Sequence, residues 1–272
     1  MKPILPPSLF LDDQDEEISV GDQAEAVLRE THSPRFRRGI YLLPNSLTIA
    51  GLFSGFYAIV AAMKGHFESA AISVFIAMIM DFLDGRVARL THTQSAFGTE
   101  LDSLSDMVSF GVTPALILYS WSLNHLGKFG WLSAFLFTAA GALRLARFNI
   151  RTQIVDKQYF QGLPVPAAAG VLSSFVWASV DSGWNGYTLV MLAACLTVLT
   201  GLLMVSSFRY LSFKEIDLKG RVPFVSILAV LLTLVSIALD PPKVLFLIFL
   251  TYSLSGPIMT LRYFKRSSHH QE

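Results

Sequence analysis

Four aspartates, Asp81, Asp84, Asp102 and Asp106, stand within otherwise apolar stretches of this 272-residue chain. Spacings of three and four residues put each pair on one face of a helix. An ionised carboxylate costs about 2.5–3.5 kcal/mol at the centre of a membrane helix, and four together also repel one another. Something cationic must neutralise them. A purely structural explanation makes Asp102 an N-cap or first-turn residue and pairs the others with Arg86 and Arg89. Asp81 and Asp84, however, close a helix at the end where the dipole opposes them, and two arginines leave charge over. Hard divalent cations held by carboxylate oxygens account for all four, with two ions sharing ligands.

The elements that must position these carboxylates are membrane helices. Of the residues, 53% are hydrophobic and only 15% charged, against about 25% charged in a soluble protein. Eight segments are long enough to cross a bilayer. They run approximately over 43–63, 67–84, 98–123, 129–147, 164–180, 187–207, 223–239 and 244–263. With eight crossings, the connectors on one side hold only Lys64, Lys128 and Lys243. The other side, with the flanks of the first and last crossings, holds sixteen basic residues from Arg35 to Arg266. Positive residues stay inside, so both termini are expected in the cytoplasm, on a chain in the cytoplasmic (inner) membrane. The fold class is all-α, a polytopic helical bundle over residues 39–266. Residues 1–38, with eight carboxylates between Asp12 and Glu30, read as a disordered cytoplasmic tail, and 267–272 as a polar end. Both aspartate pairs lie about one turn below the cytoplasmic boundary, so the site is expected to open to the cytoplasm.

A net charge of +1 argues against nucleic acid as a partner. Cys195 is the single cysteine, which excludes an internal disulfide; inside the sixth crossing it reads as packing. Trp121, Trp131 and Trp184 fall near the outer boundary and read as interfacial anchors. His92, in the connector between the aspartate pairs, reads as solvated. Transporter folds show repeated halves and helices broken at the midplane; this chain shows neither, which counts against a cation-carrying role for the carboxylates.

Glycine lets a bulky ligand approach the backbone, and Gly85 and Gly98 flank the aspartates. The run Asp81-x2-Asp84-Gly85-x2-Ala88-Arg89-x8-Gly98-x3-Asp102-x3-Asp106 has eight fixed positions. It resembles the signature of the CDP-alcohol phosphotransferases without a departure. The flanks resemble the bacterial phosphatidylserine synthases within that family, through Met107-Val108-Ser109-Phe110-Gly111, Arg144 to Asn149, Gly162 to Ala169 and Lys219 to Phe224. The likeness covers about residues 38 to 224.

The resemblance implies transfer of the phosphatidyl group of CDP-diacylglycerol to the hydroxyl of L-serine, releasing CMP. It implies two divalent ions, Mg2+ or Mn2+, on Asp81, Asp84 and Asp102, with Asp106 as shared ligand, catalytic base, or both. Gly85, Arg89, Ser95 and Gly98 would line the CDP-lipid site with Asn45 and Thr48, although Asn45 and Thr48 taken singly would read as a helix cap. A homodimer surrounded by membrane lipid is expected as well. The same chemistry would serve inositol phosphate, glycerol phosphate or choline as acceptor. Serine needs a cation for its carboxylate, and Arg144 and Arg147, three apart on one helix face, lie at the level of the aspartates. One of them is expected to hold that carboxylate, with Ser105 or Ser109 shaping the pocket; the competing reading makes both arginines positive-inside residues or lipid-phosphate contacts.

Overall fold

A computed structural model describes residues 35–151, 160–210 and 224–268. The acidic segment 1–34 and residues 269–272 lie outside the described residues. Met1–Ile40 and Tyr41–Glu272 form separate units; of the first, only the helical residues 35–40 are described. Helix α1 (Arg35–Met63) continues through Pro44. The ring removes one backbone donor, which membrane helices tolerate, so Asn45 and Thr48 lie inside a helix and not at its cap. Helix α2 (Phe67–Leu90) runs six residues past Asp84 before Thr91 caps it. Asp81 and Asp84 are therefore interior residues of α2, and the expected end at Asp84 is corrected.

Residues 91–95 connect α2 to α3 (Ala96–Asp106). His92 adopts φ +52° there, and Ser95 caps α3 by accepting from the Gly98 amide at 3.0 Å. The rod then widens into a π turn at Met107–Val112 before α4 (Thr113–Trp121). Pro114 explains the widening. It has no N–H to return to Phe110, so the ladder slips and the Thr113 amide reaches back to Val108. A short 3-10 turn at Leu123–Leu126 leads to α5 (Lys128–Arg151). Then follow β1 (Phe160–Gln161), α6 (Val165–Asp181), α7 (Val190–Val205), β2 (Arg209–Tyr210), α8 (Phe224–Leu239) and α9 (Pro241–Ser268). Among the described residues, the expected all-helical class holds but for one antiparallel pairing, of Phe160 with Tyr210 and Gln161 with Arg209.

Among the described residues, four helical stretches are long and apolar enough to cross a membrane: Leu42–Met63, Ala96–Trp121, Lys128–Ile150 and Pro241–Thr260. Three shorter apolar helices accompany them. Helix α6 is the hub. It is apolar on every side, as a surrounded helix should be, and packs on α2, α4, α7 and α9. Small residues permit the close approach: a Cβ at Gly170 would lie 2.6 Å from the Phe249 ring. At one end of the bundle Ser122 bonds the Gly186 carbonyl, and Lys243 bridges Asp181 and Asp240 at 3.6 and 2.7 Å.

Two packing expectations change. Trp121 is buried, its ring edge-on to Phe175, because α6 covers it; Trp131 and Trp184 are exposed as an anchor would be. Cys195 faces outward from the bundle and is exposed.

Helix α1 runs parallel to the α3–α4 rod. The hydroxyls of Ser105, Ser109 and Thr113 reach the carbonyls of Thr48, Gly51 and Gly55 at 3.3, 3.4 and 3.2 Å. Contact is closest at Gly55, where a Cβ would fall 2.5 Å from Ser109 Oγ and 2.9 Å from its Cα. We expect Gly55→Ala to destabilise the fold by about 1–3 kcal/mol, the usual cost of overpacking. Thermal unfolding in detergent measures it, and an unchanged midpoint would show that the interface yields.

Candidate active site

The first aspartate pair comes from the interior of α2 and the second from α3, and the short capped connector folds α3 back so that the pairs converge. One carboxylate oxygen from each of Asp81, Asp102 and Asp106 lies within 4.8 Å of the other two. Three carboxylates this close repel unless a cation or protons intervene. Their oxygens are the donors that hard divalent ions prefer, so the residues fit such a metal.

Asp84 stands apart from that trio. It is 5% exposed, and its Oδ2 accepts the Thr48 hydroxyl at 2.6 Å. The Pro44 carbonyl also lies 3.1 Å from Thr48 Oγ1. A hydroxyl has one proton, and the shorter contact to a carboxylate takes it. Thr48 thus ties α1 to the aspartate face of α2.

The idea that Arg86 and Arg89 neutralise the aspartates fails. Arg86 lies over the Phe82 ring, 5.1 Å from its centroid, and Arg89 is exposed. Among the described residues, neither forms an ion pair with the four. The charge is left for something other than these side chains.

Beside the carboxylates, α1 and the start of α3 meet. A Cβ on Gly98 would lie 3.2 Å from both Asn45 Oδ1 and Ser95 Oγ. Asn45, Thr48, Asp84, Ser95 and Gly98 are therefore gathered on one flank. Gly85 is different: a Cβ there would meet only Arg89 Nη2, at 4.0 Å. Among the described residues no neighbouring helix demands that glycine, so its open face suits an approaching ligand.

The model of the CDP-alcohol phosphatidyltransferase family matches residues 41–199, more than half the chain. The chain belongs to that family. It is 42% identical over 177 residues to the CDP-diacylglycerol–serine O-phosphatidyltransferase of Helicobacter pylori, covering 65% of this chain and 75% of that one. To the enzyme of the same name from Methanocaldococcus jannaschii it is 35% identical over 225 residues, covering 83% and 97%. To the archaetidylserine synthase of Methanothermobacter thermautotrophicus it is 36% identical over 170 residues, covering 62% and 69%. The segment matched by the family model holds α2, α3 and the whole aspartate constellation.

The acceptor-side candidates separate. Ser105 and Ser109 are 6% and 1% exposed, and their hydroxyls bond α1 carbonyls as described. They tie the rod to α1. Arg147 has interactions of its own. Arg144 is close enough to Asp106, Tyr210 and Tyr252 to interact electrostatically, and its Nε is buried without a hydrogen-bond partner. Tyr210 and Tyr252 carry no signal in the sequence. They come from a connector and from the last helix, far along the chain from the motif, and only packing brings them near Arg144.

Proposed function

We propose that the protein moves the phosphatidyl group of CDP-diacylglycerol to the hydroxyl of L-serine, yielding phosphatidylserine and CMP. The observation that carries this reading is the convergence of Asp81, Asp102 and Asp106 beside the open backbone at Gly85. The names of the relatives, each of which includes serine, support the acceptor. Asp81, Asp102 and Asp106, with Asp84 behind them, would hold two divalent ions, Mg2+ or Mn2+, which supply neutralisation of the diphosphate and of the departing CMP phosphate.

The chain's own residues do the rest. Gly85 admits the diphosphate to the backbone of α2, and Arg89, one turn further, offers it positive charge. Asn45, Ser95 and Gly98 receive the nucleotide end. Asp106 accepts the proton of the serine hydroxyl. The oxygen so freed attacks the β-phosphorus, and the bond from that phosphorus to the CMP oxygen breaks on the opposite side.

In this reading the chain crosses the cytoplasmic membrane eight times with both termini inside. The sixteen-to-three partition of basic residues supports that topology, and so does Arg89 at the aspartate end of the bundle. The diacyl substrate arrives laterally from the lipid, while serine and CMP exchange with the cytoplasm. A second copy of the chain is the partner.

Purified protein with CDP-diacylglycerol, Mn2+ and labelled alcohols tests the proposal. CMP release that depends on serine is expected. Release only with glycerol phosphate, inositol phosphate or choline would move the assignment, and none with any alcohol would point to cation transport. The mass of the same sample in detergent checks the dimer, and an active monomer would remove that part.

A further inference from the structure

Helix α5 runs antiparallel to the α3–α4 rod and is tied to it twice. Thr138 donates to the Gly111 carbonyl in the π turn at 3.1 Å, and Asn149 Nδ2 donates to Ser103 Oγ in α3 at 3.0 Å. Between these ties the backbones nearly touch, since a Cβ on Gly141 would lie 3.5 Å from Gly111 Cα. Arg144 falls about midway between the ties, which sets it level with Asp106 and Met107. Its electrostatic interaction with Asp106 agrees. The α1 side of α3, marked by Ser105, faces the nucleotide flank, whereas Ser103 faces α5. Arg144 therefore stands at the level of Asp106 on the α5 side, away from the flank of Asn45 and Gly98.

The wall behind Arg144 is built with care for shape. Gly162 adopts φ +79°, and a Cβ there would fall 2.3 Å from the Met204 carbonyl oxygen, so only glycine lets the β1 segment lie against the end of α7. That contact places β2, where Tyr210 is fully buried. Its hydroxyl donates to the Ser253 carbonyl of α9 at 3.0 Å, and its ring lies 5.7 Å from that of Tyr252. Gly256 leaves the space that the ring fills, for a Cβ there would be 2.3 Å from Tyr210 Cζ. The two tyrosines are near enough to Arg144 to interact with it electrostatically but supply no carboxylate, and among the described residues Arg144 forms no ion pair. A guanidinium whose Nε–H has no protein partner can offer the two-pronged edge that matches a carboxylate.

We infer that Arg144, and not Arg147, binds the carboxylate of the acceptor amino acid, and that Tyr210 is a positioning residue for it. This rests on the reading of serine as acceptor. The donor diphosphate has the same anionic chemistry; the residues that receive its nucleotide end, Asn45, Ser95 and Gly98, gather on the α1 flank.

The test uses the full chain, purified in detergent, with KM measured for serine and for CDP-diacylglycerol separately. Wild type is assayed first with serine, and failure to release CMP there would overturn the acceptor reading itself. Given activity, Arg144→Gln is expected to raise the serine KM by roughly 10- to 150-fold, the range for losing a hydrogen bond to a charged group. The KM for CDP-diacylglycerol should stay within about twofold. The preference for L-serine over L-serinamide, which lacks the carboxylate, should fall by the same factor as serine binding. A rise confined to CDP-diacylglycerol would place Arg144 on the diphosphate, and no change in either KM would leave it structural; both overturn the inference. Should Arg144→Gln not fold, Arg144→Lys keeps the charge without the fork and must still weaken serine selectively. Tyr210→Phe should raise the serine KM with kcat unchanged, and an effect on kcat alone would remove its positioning role.

Discussion

Asp106→Asn is expected to lower serine-dependent CMP release by about 10²- to 10⁴-fold, the contribution of a positioned general base, while the protein stays folded. Asparagine keeps the size of aspartate but cannot accept a proton from the serine hydroxyl. The residue is only half-buried, and the substitution removes one of three mutually repelling carboxylates, so folding should not suffer. The assay is turnover per folded molecule, with size-exclusion and thermal unfolding alongside. Excess Mn2+ separates the two roles of Asp106. If the variant recovered near-wild-type turnover at saturating metal, Asp106 would be a ligand and not the base.

Gly85→Val should leave the fold intact and raise the KM for CDP-diacylglycerol by about 5- to 150-fold. Those limits correspond to the ~1–3 kcal/mol of forcing a side chain into occupied space. The space at Gly85 is open in the protein alone, its nearest neighbour being the movable end of Arg89. The conflict therefore arises only when the diphosphate is bound. Gly55 makes the opposite case, since its neighbours are the hydroxyl and the Cα of Ser109, and its substitution should damage stability before binding. An unfolded Gly85→Val, or one with unchanged KM for the donor, would show that this glycine serves packing after all.

Much of the site is legible in the amino-acid sequence because its penalty is local. A carboxylate in an apolar helix is anomalous on its own, and spacings of three and four residues dictate a common face whatever surrounds them. Glycine is harder to interpret from sequence, because the same residue type marks a ligand approach at Gly85 and a helix crossing at Gly55. Serine in a buried helix is equally ambiguous. Ser105 and Ser109 have the chemistry to bind a polar substrate, yet they donate to carbonyls of α1, and no pattern within the α3–α4 rod reveals which neighbour lies opposite.

The amino-acid sequence by itself determined the helical membrane class, the order of the apolar segments and the aspartate motif, since hydropathy, charge and helical periodicity are properties of neighbours along the chain. The tertiary structure decided what depends on residues far apart. It set Thr48 against Asp84, left Arg86 and Arg89 unpaired with the aspartates, turned Trp121 inward under α6 and Cys195 outward, and separated Arg144 from Arg147. Two arginines three residues apart are equivalent to a helix. They differ only once the bundle has packed, because the burial of the Arg144 Nε without a hydrogen-bond partner belongs to the packed molecule and not to the chain.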